Sequence, residues 1–180
     1  MNITIFNLIE ALWFILPAYA ANGLAVLARG KHPIDFNKKF IDKKPLLGRG
    51  KTYEGFIFAV FISTCIATVE MLVLPYLPFD ESPVELYIVK MTPFIGFVLG
   101  VGAMLGDMMG SFIKRRIGIE RGRPAPVLDQ DDFIIGSILA SSFFISIKIE
   151  WIILLLIITP FFHLLANVIA YLLRLKNEPY

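Results

Sequence analysis

Cysteine and histidine are almost missing from this chain. The one cysteine, Cys65, sits inside an apolar run, which excludes a disulfide framework and a thiolate metal site. Of the two histidines, His163 interrupts another apolar run with nothing beside it to complete a metal site, and a structural role suits it. Basic residues are missing ahead of Ala18-Tyr19-Ala20 and crowd behind it, the reverse of a cleavable signal peptide. The first apolar run is therefore expected to be retained. A Walker A loop is missing too: in Leu47-Gly48-Arg49-Gly50-Lys51-Thr52 the first glycine and the spacing do not fit. No inverted repeat divides the chain, as one does in many secondary transporters.

Hydrocarbon is abundant. With 57% hydrophobic residues and a mean hydropathy of +0.71, the sequence lies outside the range of soluble domains and reads as one integral membrane domain, 1–180. Five apolar runs, about 3–28, 53–77, 87–112, 129–147 and 151–173, predict an all-α, polytopic membrane protein with five transmembrane helices. Pro17 is expected to kink or loosen the first of them. Gly96, Gly100, Gly102, Gly106 and Gly110 on the third, with Gly136, Ser137, Ala140 and Ser141 on the fourth, supply small faces for close helix packing. Five spans put the loops at about 29–52 and 113–130 and the C-terminus on one side. That side holds fifteen of the seventeen Lys and Arg residues; only Lys90 and Lys148 fall towards the other. The positive-inside rule makes it cytoplasmic and leaves the N-terminus outside.

The chemistry concentrates between Gly106 and Asp132. The stretch opens on Asp107 inside an apolar run, passes through Lys114, Arg115, Arg116, Arg121 and Arg123, and closes on Asp129, Asp131 and Asp132. Asp107, Ser111 and Lys114 share a helix face at i, i+4, i+7, and Asp129 and Asp132 share one at i, i+3. Carboxylates at a membrane edge beside so many cations suit a divalent metal and a polyphosphate held together. One of the three late aspartates is expected to cap a helix, but a helix needs only one such cap. Pro124 and Pro126 keep the end of the basic loop extended. Upstream, 47–52 combines flexible glycines, basic side chains and the Thr52 hydroxyl, which suits a phosphate. Glu54 favours the start of the second helix, and Asn22 faces the same loop, open to an interhelical bond or to substrate.

These residues resemble the signature of the phosphatidate cytidylyltransferases, membrane enzymes that make CDP-activated lipids. That family carries Ser–x–x–Lys–Arg, a basic linker, and Leu–Asp–Arg–x–Asp. The matching residues here are Ser111, Lys114, Arg115 and Leu128-Asp129-Gln130-Asp131-Asp132. A second family feature, Lys–Thr–x–Glu–Gly, matches Lys51-Thr52-Tyr53-Glu54-Gly55. The family's His–Gly–Gly is absent, with Arg123-Pro124-Ala125-Pro126 near that place, and Gln130 replaces its Arg. With the short length, these departures point to the archaeal branch, the CDP-archaeol synthases. A CDP-alcohol phosphotransferase would need Asp–Gly–x–x–Ala–Arg, which the chain lacks.

The resemblance implies a CTP-dependent cytidylyltransferase of the cell membrane, with its active site at the cytoplasmic face, that forms a CDP-activated lipid and releases pyrophosphate. Its partners would be CTP, a lipid phosphate such as digeranylgeranylglyceryl phosphate, and the lipid bilayer. No nucleic acid is implied, and a homodimer is left open. The implied cofactor is Mg²⁺, one or two ions, with Asp107, Asp129 and Asp132 as ligands and Asp131 in reserve. Those three and Lys114 would be catalytic, while Lys51, Thr52, Glu54, Ser111, Arg115 and Asn22 would hold nucleotide or phosphate. Lipid tails are expected to enter through a gap between the third and fourth spans at Gly96, Gly100, Gly136 and Ala140. The alternative is a transporter or channel for a divalent cation or a phosphorylated anion, which intramembrane aspartates in a basic vestibule also suit. Against it, the acidic residues gather on one side and Glu70 alone stands towards the other.

Overall fold

The computed structural model describes residues 3–120, 123, 125 and 128–172, without the side chains of 80, 81, 163, 165–167 and 169–172. The expectations for Arg121, Pro124, Pro126, the His163 side chain and the C-terminus fall outside the described residues.

Among the described residues the chain is helical and forms no β-strand; two isolated bridges, Pro33 to Thr52 and Lys39 to Pro45, pin one loop. Helix α1, Ile5–Leu24, starts at a reciprocal cap between Thr4 and Asn7, continues through Pro17 and tightens into a 3₁₀ turn, Ala25–Ala28. Helix α2, Tyr53–Val73, starts where the Thr52 hydroxyl accepts the Gly55 N–H at 3.2 Å. Helices α3, Pro93–Arg116, α4, Leu128–Ser141, and α5, Ile149–Leu172, complete the bundle. Among the described residues three helical segments are long and apolar enough to cross a membrane: Ile5–Ala28, Tyr53–Tyr76 and Pro93–Arg116. The described part of α5 adds a shorter apolar stretch, Ile149–Phe162.

Three boundaries differ from expectation. Helix α3 starts at Pro93 rather than near 87, because Thr92 caps the Ile95 N–H and Pro93 takes the first helical position. Residues 87–91 cross the end of the bundle instead, where the Val89 carbonyl accepts the Trp13 indole N–H at 3.0 Å. At its other end α3 runs on to Arg116, so Lys114, Arg115 and Arg116 form its last turn, where cations favour the helix dipole. Residues 113–116, expected in a loop, are therefore helical. Helix α4 stops at Ser141, not near 147; the Ser141 and Ser142 hydroxyls donate to the carbonyls of Ser137 and Leu139. Its 14 residues reach about 21 Å.

Close packing organises the bundle around α3. A Cβ on Gly102 would stand 2.6 Å from the Gly136 carbonyl oxygen, and one on Gly136 would stand 2.7 Å from the Gly106 Cα. Against α2, a Cβ on Gly100 would stand 2.7 Å from that of Ser63, whose hydroxyl donates to the Gly96 carbonyl at 2.7 Å. The expected sideways gap between the third and fourth spans is therefore closed. Its small residues serve helix contact, since van der Waals approach drives association in lipid. Trp151 stacks on Phe14 at 5.5 Å, and both are fully buried.

Candidate active site

The loop between α1 and α2 is built on a buried aspartate. Asp35 accepts the Asn37 N–H on one carboxylate oxygen at 2.9 Å, and those of Leu47 and Gly48 on the other at 3.0 and 2.9 Å. Burial pushes its carboxyl up, but the N–H groups of Gly48, Leu47 and Asn37 outweigh that and hold it below the ordinary carboxylate range. Arg116 fastens the loop to α3. Its guanidinium donates to Asp42 Oδ1 at 2.8 Å and to the Pro45 carbonyl, and lies 4.9 Å from the ring centres of both Phe40 and Phe112. Folded this way, the loop delivers Arg49, Lys51 and Thr52 to the ends of the helices.

They line a cavity of about 400 Å³ between the end of α1, the start of α2 and the middle of α3. Asn22 and Arg29 come from α1 and its 3₁₀ extension, and Asp107 comes from α3. Lys51 Nζ donates to Asp107 Oδ2. Four of the residues singled out in the sequence therefore meet here: Asn22, Lys51, Thr52 and Asp107. The Thr52 hydroxyl oxygen is occupied as the cap of α2.

A second cluster joins α3 to α4. Lys114 Nζ donates to Asp129 Oδ1, and Asp129 Oδ2 accepts the Ala125 N–H at 2.9 Å. Asp132 Oδ1 accepts the Phe133 N–H at 2.7 Å, while Oδ2 is buried with no partner. That carboxylate lies over Gly110, where an added Cβ would come within 2.8 Å of Asp132 Cγ. Asp132 thus stands between the Lys114–Asp129 pair and the face of α3 that carries Gly110. Ser111 is buried beside Gly110. None of the three late aspartates is the cap: α4 begins at Leu128, so all lie inside its first turns. Asp131, set aside in the sequence, is buried too, with Oδ1 lacking a partner.

Two expected phosphate groups are engaged elsewhere. Glu54 binds His32, at 2.5 Å to the ring Nδ1 and 3.3 Å to the backbone N–H, and is not on the cavity wall. Arg115 donates to the carbonyls of Leu47 and Ile119 and faces a separate cavity of about 560 Å³. Arg49, from the 47–52 stretch expected to suit a phosphate, is a wall residue, and so is Arg29, which the sequence marks only as part of a basic segment. Asp35 was missed as well, although Asp-x-Asn is the pattern of an Asx turn.

Among the described residues no three acidic or imidazole side chains converge on one point. Lys51 and Lys114 hold Asp107 and Asp129 instead. The donor chemistry still fits a hard divalent ion, because it consists of carboxylate oxygens and one of them, Asp132 Oδ2, is buried and unpartnered.

Comparison with known proteins bears on the same residues. A family model described as CarS-like, CDP-archaeol synthase, matches residues 3–180. The CDP-archaeol synthase of Methanocaldococcus jannaschii is 43% identical over 171 residues, 94% of this chain and 96% of that protein. The one from Methanopyrus kandleri is 45% identical over 175 residues, covering 95% and 92%. A solved structure described as an intramembrane enzyme for archaeal membrane lipids biosynthesis superimposes with a TM-score of 0.76 at 33% identity, over 93% of this chain and 95% of that one. With a full-length family match and relatives above 40% identity, this chain belongs to the CDP-archaeol synthase family.

Proposed function

We propose that the chain transfers the cytidylyl group of CTP to the phosphate of an unsaturated archaeal ether lipid, forming CDP-archaeol and releasing pyrophosphate. The observation that carries this reading is the Lys51–Asp107 pair on the wall of a basic cavity at the ends of apolar helices. A soluble triphosphate and a membrane lipid meet only at such an interface. The charge distribution supports five spans, an external N-terminus, and cytoplasmic loops at about 29–52 and 113–130. A cavity on the cytoplasmic side of the cell membrane belongs to the same reading.

In the reaction an oxygen of the lipid phosphate attacks the α-phosphorus of CTP in line. The bond from that phosphorus to the bridging oxygen breaks, and pyrophosphate leaves with the electron pair. A phosphate monoester is ionised near neutral pH, so no strong base is needed, and rate comes from positioning and charge. Lys51, Arg29 and Arg49 attract and orient phosphate from the cavity wall, the lysine as a point charge and the arginines as forks. Lys114 orients Asp129, and Ser111 sits on the same α3 face as Asp107. Asp107, Asp129 and Asp132 would hold Mg²⁺, one or two ions, which when bound neutralises triphosphate charge.

The family match gives no support to the transporter or channel alternative. The test is pyrophosphate release by purified protein in detergent. It should require both CTP and a lipid phosphate, and CTP or dCTP should far outperform ATP and GTP. Release without lipid, or comparable rates with all four nucleotides, would overturn the assignment.

A further inference from the structure

Away from the cavity, the loop between α1 and α2 carries an exposed apolar tip. Residues 38–46 fold into a small hairpin, in which the Leu46 N–H donates to the Lys38 carbonyl at 3.0 Å and the Lys43 N–H to that of Phe40 at 2.9 Å. Ile41 stands at its apex, 90% exposed. On the same loop Phe36 is 68% exposed, in a left-handed backbone with φ 50°. A bulky side chain takes that conformation at a cost. Buried Asp35 holds the turn in place: its carboxylate accepts the Asn37 N–H at 2.9 Å and its carbonyl the Lys38 N–H at 2.8 Å. The Phe36 ring is therefore kept outward by the fold.

Ring contacts fix the level of this tip. Phe36 lies 5.9 Å, centre to centre, from Tyr53, the first residue of the apolar segment Tyr53–Tyr76. Phe40 lies 5.3 Å from Phe112, in the last turns of the segment Pro93–Arg116. The tip thus leans on the ends of two segments able to cross a membrane, the level at which headgroups meet hydrocarbon and aromatic rings gather. Its charge suits that level as well. Lys38, Lys39 and Lys43 are exposed and form no ion pair among the described residues. Asp42, the acidic residue of the hairpin, is taken up by Arg116.

We propose that this tip is a docking surface for the anionic lipid leaflet. Phe36 and Ile41 enter the interfacial layer, and Lys38, Lys39 and Lys43 bind phosphates of bulk lipid headgroups, outside the cavity. A soluble acidic protein would match the lysines but not the level, where lipid already surrounds the helices. The inference rests on helices that span the membrane, not on the reaction. It gives the loop that carries Arg49 and Lys51 a second hold beside the Arg116 clamp.

Ile41→Trp reports on the tip directly, because the side chain it replaces is almost fully exposed. The variant is reconstituted without substrates in nanodiscs of phosphatidylcholine, alone or with about one-third phosphatidylglycerol. The unaltered protein supplies the background of Trp13 and Trp151. With the anionic lipid the emission of the added indole should shift to the blue, its quenching by aqueous acrylamide should fall about threefold, and high salt should reverse both. Changing Lys38, Lys39 and Lys43 together to Gln should abolish the difference between the two nanodiscs. Equal quenching in both nanodiscs with the lysines intact would overturn the recognition of anionic lipid. An indole as open to acrylamide in both as in a free peptide would leave the tip in water and overturn docking altogether. A lipid effect that survives in the triple variant would assign it to other charges and remove these lysines from the proposal. No nucleotide or lipid substrate enters the measurement, so failure of the cytidylyltransferase reading, seen as absent pyrophosphate release, is told apart from failure of the docking surface.

Discussion

Glu10 and Asp132 are both buried carboxylates in an apolar helical bundle, and they lie towards opposite ends of it. Glu10 is saturated: one oxygen accepts the Tyr87 N–H at 2.7 Å, and the other accepts Lys148 Nζ at 2.7 Å and the Trp151 indole N–H at 2.9 Å. These bonds tie α1, the 87–91 segment and the start of α5 together, and they leave the carboxylate nothing further to bind. Asp132 keeps one oxygen buried and unpartnered, with Lys51 and Lys114 close enough to act on it electrically. Both sites bear the cost of desolvation. At Glu10 it is offset within the fold, whereas at Asp132 one oxygen is left without an offsetting hydrogen bond, which is what the proposed metal role would use. Glu70 shows that an orphan oxygen alone is not enough. Both of its oxygens are buried without partners, but no hydrogen-bonding or cationic neighbour accompanies them. What separates the catalytic end is the orphan together with cations.

The contrast breaks most sharply under amide substitution, which preserves shape and removes charge. Asp132→Asn and Asp107→Asn should each lower kcat by about 10³-fold, roughly 4 kcal/mol, with little change in thermal midpoint. Asp129→Asn belongs with them, and Asp131→Asn should be milder, because its carboxylate lies off the face shared by Asp129 and Asp132. Equal losses at all four positions would remove the geometric distinction. Lys51→Met should cost about 10²-fold and raise KM for CTP, since it removes a cation from the cavity wall and leaves Asp107 uncompensated.

Glu10→Gln sharpens the other side. An amide oxygen can keep one or two of the three bonds but not the charge that pairs with Lys148, whose side chain is about a third exposed. The expected loss is about 1–3 kcal/mol of stability, read as a lower thermal midpoint in detergent, with kcat per folded molecule unchanged. A kcat loss as large as that of Asp132→Asn would mean that the two ends are not separate in function.

Much of this was visible in the sequence. Hydropathy located the helices α1 to α5 among the described residues, three of which lie in segments long and apolar enough to cross a membrane. The i, i+4, i+7 spacing of Asp107, Ser111 and Lys114 holds, since α3 continues through all three. What the periodicity could not supply was where a helix yields to local chemistry. Thr92-Pro93 overrides the apolar residues before it, and serine hydroxyls end α4 early. Side-chain partnership was less legible still. Nothing in linear spacing says that Glu54 turns to His32, that Arg115 serves two loop carbonyls, or that Arg29 and Arg49 share a cavity with Asp107. Those depend on how the 29–52 loop folds back, which rests on Asp35 and Arg116.

That loop supplies the smallest expected effect. Asp35 has its folded-state pKa held below the ordinary carboxylate value by three backbone N–H groups. A depressed folded pKa means that ionised Asp35 contributes stability fully above the unfolded value, about 3.9. The contribution is lost as pH falls below that value and through the folded pKa. The loop should therefore hold through neutral and mildly acidic pH and loosen only below about pH 4. Limited proteolysis between 29 and 52, followed across pH with an acid-active protease, would report it. Asp35→Asn should show the loosened pattern at neutral pH as well, because an amide oxygen accepts the N–H of Leu47 or Gly48 more weakly than a carboxylate does. Since Arg49 and Lys51 hang on this loop, the same variant should raise KM for CTP several-fold while kcat falls less. If Asp35→Asn is as resistant to protease as the unaltered protein at pH 7, the loop is held by the Arg116 clamp alone, and Asp35 adds no more than an ordinary turn.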